Sequence, residues 1–302
     1  MLTIKLILCP VDFSEFSVSA YRYAQSLAGH YRSKVVVQHI VELWRYPSLG
    51  FAASASLYDQ FCQAVAESGR ERLQEFVQNY THDGLQPELV VHQGMAPDSI
   101  LSCAQEQKAD GIVMGTHGQR GYDRLMLGSV TDRVMRRASC PVLAVRNPPR
   151  ELGADKDGRQ VHRLRQILFC TDFSGNSEAA LTYAISATEE YDAELTLLHV
   201  LEEVPSPAKT EKAIAAATER LDSLIPPEAR KTLKIKMAVR IGKPYRQIIQ
   251  FAEEEQIDTV AMGVRGRGAL DLAVFGSTTY RVMQLGPCHL DRIRRAPGPS
   301  SR

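Results

Sequence analysis

The chain repeats itself. Ile7-Leu8-Cys9-Pro10-Val11-Asp12-Phe13-Ser14 is answered by Ile167-Leu168-Phe169-Cys170-Thr171-Asp172-Phe173-Ser174, at an offset of 160 residues (167 − 7). His39-Ile40 is answered by His199-Val200 at the same offset. Further along, Glu71-Arg72-Leu73 matches Glu219-Arg220-Leu221 at an offset of 148 (219 − 71), and Gly94 matches Gly242 likewise. Self-similarity over a domain-sized period means two copies of one folding unit. Half of 302 residues is long enough for each copy to bury its own core. The drop in offset gives the first copy 12 extra residues (160 − 148) between His39 and Glu71, which fall in the loose stretch from Trp44 to Ser56.

Within each copy short apolar runs alternate with helical patterns. In the first, strands are predicted over 3–11, 35–41, 86–92, 111–114 and 141–145. Ser14 caps a first helix whose inward face is Val18, Tyr21, Ala24, Gln25 and Ala28. Further helices are predicted over 57–80, over 97–107 and up to Arg137. Strands alternating with helices mean a parallel sheet joined by right-handed crossovers. The Pro-, Gly- and charge-rich stretch 148–163 reads as a linker between domains at 1–147 and 164–294, and 295–302 reads as a disordered tail. The symmetry breaks at the end. Cys140-Pro-Val-Leu-Ala-Val-Arg146 is matched by Cys288-His-Leu-Asp-Arg-Ile-Arg294, a degenerate final strand too charged to be well buried.

The chemistry-bearing stretch is Gly115-x2-Gly118-x9-Gly128-Ser129, repeated as Gly263, Gly266, Gly276 and Ser277 at an offset of 148 (263 − 115). At ordinary glycine usage one such pattern arises by chance in roughly 0.01 of chains of this length, so two in matching context are not accidental. Each follows a strand and opens a helix that Ser129 or Ser277 can cap. Glycines let backbone N–H groups approach an anion, and a helix start offers unpaired donors and a positive dipole end. Neither copy is a Walker loop, because no lysine follows the last glycine. In an open parallel sheet the ligand crevice lies beyond the carboxyl ends of the strands, where strand order reverses. If strands one and four are neighbours, Asp12-Phe13-Ser14 faces the glycine loop. Asp12 is then an acceptor for a base amino group or ribose hydroxyl, or else a helix-capping carboxylate, and Val11, Ile40 or Val41 can wall an adenine slot.

Other residue types exclude more than they suggest. A net charge of +1 gives no reason to expect nucleic acid or an anionic membrane as partner. No apolar run reaches the ~20 residues that span a bilayer, and the expected location is the cytoplasm. Cys9, Cys62, Cys103, Cys140, Cys170 and Cys288 have no metal or disulfide spacing and read as buried thiols in a reducing compartment. His39 and His199 read as core or strand-end histidines. Arg120, Arg124, Arg265 and Arg267 suit phosphate contacts but read first as solvated. No nucleophile–base pair and no carboxylate pair lies near the glycine loops. His117 is the only base candidate in the first loop and its counterpart is Arg265, so no catalytic residue is assigned.

Taken together, Pro10-Val11-Asp12-Phe13-Ser14, Gly94 with Pro97 and Ile100, Asp110 to Met114, the two glycine motifs and the Cys-Pro-Val-Leu-Ala-Val-Arg close resemble the universal stress proteins, over nearly the whole chain. The resemblance implies two tandem Rossmann-like α/β domains, each an open five-stranded parallel sheet in the order 3-2-1-4-5 with helices on both faces. Many members with this glycine motif bind ATP, while another branch lacks the motif and does not. Carried onto this sequence, the nucleotide-binding set is Pro10, Val11, Asp12, Val41, Gly115, Gly118, Gly128 and Ser129 in the first half. In the second it is Thr171, Asp172, Gly263, Gly266, Gly276 and Ser277. The implied ligand is ATP, with Mg2+ as a potential companion ion. The implied partners are the other domain, as an internal pseudo-dimer, and a second chain as a homodimer. The expected role is a nucleotide-dependent stress-response regulator or sensor; the alternatives are a nucleotide-free interaction scaffold and a slow ATP hydrolase.

Overall fold

The structure is a computed structural model, and it describes residues 3–43, 55–81, 84–118, 127–146, 152–154, 160–162, 164–202, 207–263, 277–286 and 289–293. The chain divides into two compact units, Thr3–Pro148 and one made of Pro149–Arg302 with the first two residues.

In the first unit the elements run β1 (Leu6–Val11), α1 (Glu15–Tyr31), β2 (Lys34–Val41), α2 (Ala55–Tyr80), β3 (Glu88–Gln93), α3 (Ala96–Glu106), β4 (Gly111–Gly115), α4 (Ser129–Arg137) and β5 (Val142–Val145). All five strands are parallel, in the order β3-β2-β1-β4-β5. Ile7, Leu8 and Cys9 of β1 are at most 1% exposed, as a central strand covered on both faces must be. Helices α1 and α2 share one face, joined by a hydrogen bond between the Tyr21 and Thr81 hydroxyls (2.7 Å) and another from Gln25 Nε2 to the Tyr80 carbonyl (2.8 Å). Helices α3 and α4 pack together, and Arg137 of α4 bonds Asp98 of α3.

The expected inward face of α1 is present at Tyr21, Ala24, Gln25 and Ala28, while Val18 is only half-buried. Ser17, Ser19, Ala20 and Tyr23 are buried as well, because α1 packs against β1, β2, β4 and β5 and not along a single stripe. Ser14 caps α1 as its sequence position suggests, accepting from the Ser17 amide (3.3 Å).

The second unit repeats the plan as β8 (Gln166–Cys170), α5 (Gly175–Tyr191), β9 (Glu194–Leu201), α6 (Pro207–Ser223), α7 (Pro227–Thr232), β10 (Lys234–Ile241), α8 (Pro244–Glu254), β11 (Thr259–Gly263), α9 (Ser277–Leu285) and β12 (His289–Ile293). Its sheet is parallel in the order β10-β9-β8-β11-β12, the same topology. Duplication extends to the backbone. Left-handed residues Phe13, Arg32 and Lys108 recur as Phe173, Asp192 and Gln256, and the positive-φ Gly94 recurs as Gly242.

Four expectations concern the less regular segments, and some of them fall wholly or partly outside the described residues. The charged segment after Cys288 does form a strand, pairing with β11 from Thr259↔His289 to Gly263↔Ile293. A ladder needs backbone groups alone, and the Val, Leu and Ile that sequence patterning looks for are a separate requirement. The stretch read as a linker carries a short antiparallel pair, β6 (Leu152–Ala154) with β7 (Gln160–His162). Of the insertion, residues 44–54 lie outside the described residues, and Ala55 and Ser56 already belong to α2; the proposed tail also lies outside them.

One buried carboxylate ties the start of each central strand to the strand beside it. Asp258, 3% exposed, accepts from the Arg165 amide (2.6 Å) and the Gln166 amide (2.9 Å) through one oxygen. Asp110 does the same for Lys5 (2.7 Å) and Leu6 (3.0 Å), at a half-buried position. Hydrogen bonds to a charged acceptor are worth more than neutral ones, and removing the acceptor strands buried donors. Asp258→Ala is therefore expected to destabilise the second unit by about 2–3 kcal/mol. Asp110→Ala should cost less, and urea unfolding followed separately for the two units checks the order.

The thiols are less uniform than their sequence positions suggest. Cys9, Cys103 and Cys170 are buried, while Cys62 and Cys140 are half-exposed, and Cys288 lies outside the described residues. Burial pushes the Cys9 thiol far up, and burial with Glu106 and Glu88 nearby pushes Cys103 up to about 11. Neither is a ready nucleophile at neutral pH.

Candidate functional site

Strand order reverses between β1 and β4, so the loops leaving these two strands stand side by side at the carboxyl end of the sheet. The first is the Asp12 turn. Asp12 Oδ1 accepts from the Ser14 amide (3.1 Å) and the Ser14 hydroxyl (2.6 Å). Its other oxygen, Oδ2, points at the glycine loop: a side chain built on Gly118 would begin 2.5 Å from it. Asp12 Oδ1 is thus committed to the turn leading to the N-cap residue Ser14, while Oδ2 faces the glycine loop.

The glycine loop is closed on itself. The Gly128 amide donates to the Thr116 carbonyl (2.9 Å), and Thr131 Oγ1 donates to the Gly115 carbonyl (2.8 Å). A Cβ on Gly128 would lie 3.1 Å from the Thr116 oxygen and 3.3 Å from His117 Cα. Gly115 has a different reason to be glycine. A Cβ there would sit 2.7 Å from Phe16 Cβ and 3.0 Å from the Phe16 backbone, where the first turn of α1 crosses the end of β4. Helix α4 takes Gly128 as its N-cap, and Ser129 is its first helical residue. That corrects the expected Ser129 cap, and it leaves the Ser129 hydroxyl exposed at a helix start rich in unpaired amides.

Pro10 and Val11 are buried at the end of β1. Val41 is committed elsewhere. Its Cγ2 packs against α2 at Gly69, and its carbonyl accepts from the Gly94 amide (3.1 Å). Less of Val41 is open to a ligand than the sequence reading assumes. His117 is 9% exposed, with Nδ1 2.9 Å from the Thr116 hydroxyl and its ring 5.1 Å from that of Phe16. Arg120 and Arg124 lie outside the described residues.

In the second unit Asp172 Oδ1 accepts from the Ser174 amide (3.0 Å), repeating the Asp12 turn. The Thr171 hydroxyl is spent within that turn, accepting from the Phe173 amide (2.9 Å) and bonding the Ser177 hydroxyl (2.8 Å). Gly263 ends β11, Ser277 begins α9, and Thr279 Oγ1 donates to the Gly263 carbonyl (3.2 Å) as Thr131 does to Gly115. Gly266, Gly276, Arg265 and Arg267 lie outside the described residues.

Beside each aspartate, sequence reasoning read His39 and His199 only as core or strand-end histidines and assigned nothing to the rings and guanidinium groups beside them. Phe13 meets His39 in a tilted ring contact (centroids 4.3 Å apart), and the Arg72 guanidinium lies over the Phe13 ring, 4.5 Å from its centroid. Phe173, His199 and Arg220 repeat this at 4.4 and 4.2 Å. The signal was recurrence itself, since all three residues sit at matched offsets in the duplication.

A family model described as the universal stress protein family matches residues 3–146 and again 163–290. The chain belongs to the universal stress protein family. Universal stress protein MJ0531 of Methanocaldococcus jannaschii is 33% identical over 147 residues, 49% of this chain and 85% of that protein. The crystal structure of a universal stress protein from Archaeoglobus fulgidus covers 96% of this chain and 98% of its own, at 22% identity and a TM-score of 0.71, and shares the tandem fold. A universal stress protein solved in complex with cAMP matches 48% of this chain and 98% of its own, at 22% identity and a TM-score of 0.32. Among the described residues no helix is long and apolar enough to cross a membrane, and no three His, Cys, Asp or Glu residues cluster as a metal site.

Proposed function

We propose that this universal stress protein binds ATP at both glycine loops and acts as a nucleotide-dependent regulator or sensor of the stress response. The observation that carries the reading is the first crevice, where the Asp12 Oδ2 acceptor stands against Gly118 beside the open start of α4. A ligand suited to it carries an anionic group for backbone amides and a donor for a carboxylate. Adenosine triphosphate has both, with phosphates at one end and hydroxyl and amino donors at the other. Pro10, Val11, Asp12, Gly115, Gly118, Gly128 and Ser129 would hold it in the first unit, with Val41 contributing little. Thr171, Asp172, Gly263, Gly266, Gly276 and Ser277 would do so in the second, and a bound triphosphate would bring Mg2+ as its counter-ion. The boundaries 1–147, 148–163 and 164–294, the cytoplasmic location, pairing of the two domains within the chain and a homodimer of chains belong to the same reading.

Mass spectrometry of nucleotide released from the purified protein, with calorimetric titration of ATP and AMP, tests it. Close to two equivalents of ATP per chain are expected, bound more tightly than AMP because the amides act on the distal phosphates. A protein that releases no nucleotide and gives no heat with ATP is a scaffold, and the reading fails.

A further inference from the structure

In both units the residue after the site aspartate is a phenylalanine in the left-handed region, at φ 66° for Phe13 and 60° for Phe173. A bulky L-residue there is an outlier whose strain glycine avoids. Such strain persists where the surroundings over-determine it. Here three anchors do so. The ring contacts an imidazole from the second strand and a guanidinium from the helix after it, His39 with Arg72 and His199 with Arg220. The same histidine donates from Nδ1 to the carbonyl just before the aspartate, to Val11 at 3.0 Å and to Thr171 at 2.8 Å. The aspartate's Oδ1 then accepts from the serine amide just after the phenylalanine. The peptide before the aspartate and the peptide after the phenylalanine are thereby both tied, one to the histidine and the other to the aspartate's own carboxylate.

Simple packing does not account for the trio. Arg72 and Arg220 are exposed, and a guanidinium over a ring at such a site adds a weak attraction without filling a core. Recurrence of all six residues, with matched distances, in two units that have diverged elsewhere indicates a shared task.

We propose that Phe13 and Phe173 are positioning residues. Each, in contact with its histidine and its arginine, aims the preceding aspartate at the ligand crevice, a role that rests on the nucleotide reading above. Phe13→Gly keeps the left-handed turn without strain but removes the ring, so the lost contacts and the relieved strain roughly offset and the fold survives. Phe13→Tyr keeps the ring.

The experiment is two-site ATP titration of wild type, Phe13→Gly, Phe13→Tyr and Phe173→Gly, with hydrogen exchange of the Ser14 amide, whose acceptor is Asp12 Oδ1. Phe13→Gly is expected to weaken one of the two sites about tenfold and to speed Ser14 exchange about tenfold. Phe173→Gly should weaken the other site, and Phe13→Tyr should match wild type. Wild-type ATP affinity at both sites in Phe13→Gly overturns the proposal, as does a Phe13→Tyr variant as weak as Phe13→Gly. If wild type itself binds no ATP, the nucleotide reading falls and Ser14 exchange alone decides: unchanged protection in Phe13→Gly overturns the positioning role, and faster exchange upholds it.

Discussion

Gly118→Val is expected to abolish one of the two nucleotide equivalents, with affinity at that site down at least ~100-fold, or about 2.7 kcal/mol, and unfolding little changed. The first β-carbon would begin 2.5 Å from Asp12 Oδ2, well inside contact distance. The carboxylate cannot simply swing aside, because Oδ1 is held by both the amide and the hydroxyl of Ser14. Either those bonds break or the glycine loop retreats, and each outcome removes the facing acceptor from the crevice. Stability should barely register this, since Gly118 is half-buried in a loop and the conflict is with a side chain. Equilibrium dialysis counts the lost site, and a urea midpoint near wild type shows that the loss is local. Two equivalents retained at wild-type affinity would mean that ligand binds without the Asp12–Gly118 pair.

Gly115→Val should act in the opposite way, on the fold first. Its β-carbon would meet the Cβ of Phe16 at 2.7 Å and that residue's backbone at 3.0 Å. Backbone does not yield as a side-chain tip does, so the first turn of α1 must lift from the end of β4. Overpacking of this kind costs about 3 kcal/mol for a branched side chain. The urea midpoint of the first unit should fall accordingly, with nucleotide binding lost only as the unit loosens. Gly29→Ala is the control: nothing lies within 4 Å of a Cβ there, and alanine favours the helix. Two glycines three positions apart in one motif should thus fail by different routes.

Much of the fold was legible in the order of residues. Alternating apolar runs and helical spacings required a parallel α/β sheet, the matched offsets required two units, and Ser14 announced the start of α1. Those features are local: they depend on periodicity, caps and turns, which neighbouring residues settle among themselves. The segment after Cys288 read as a degenerate final strand because patterning sees side chains, whereas its pairing with β11 uses only the backbone. That α2 passes over Val41 at Gly69 is a contact that nothing local in the sequence reveals.

The sequence by itself determined that a glycine-rich loop occurs twice, each time with an aspartate after the first strand of its unit. Only the tertiary structure decided why each glycine is there: Gly115 to admit α1, Gly118 to admit a carboxylate. It alone decided that residues as far apart as Phe13, His39 and Arg72 form one stack. The physical reason is range. Spacing and propensity act over a few residues, whereas a close approach or a ring contact exists only once a crossover has brought distant strands and helices to the same end of the sheet.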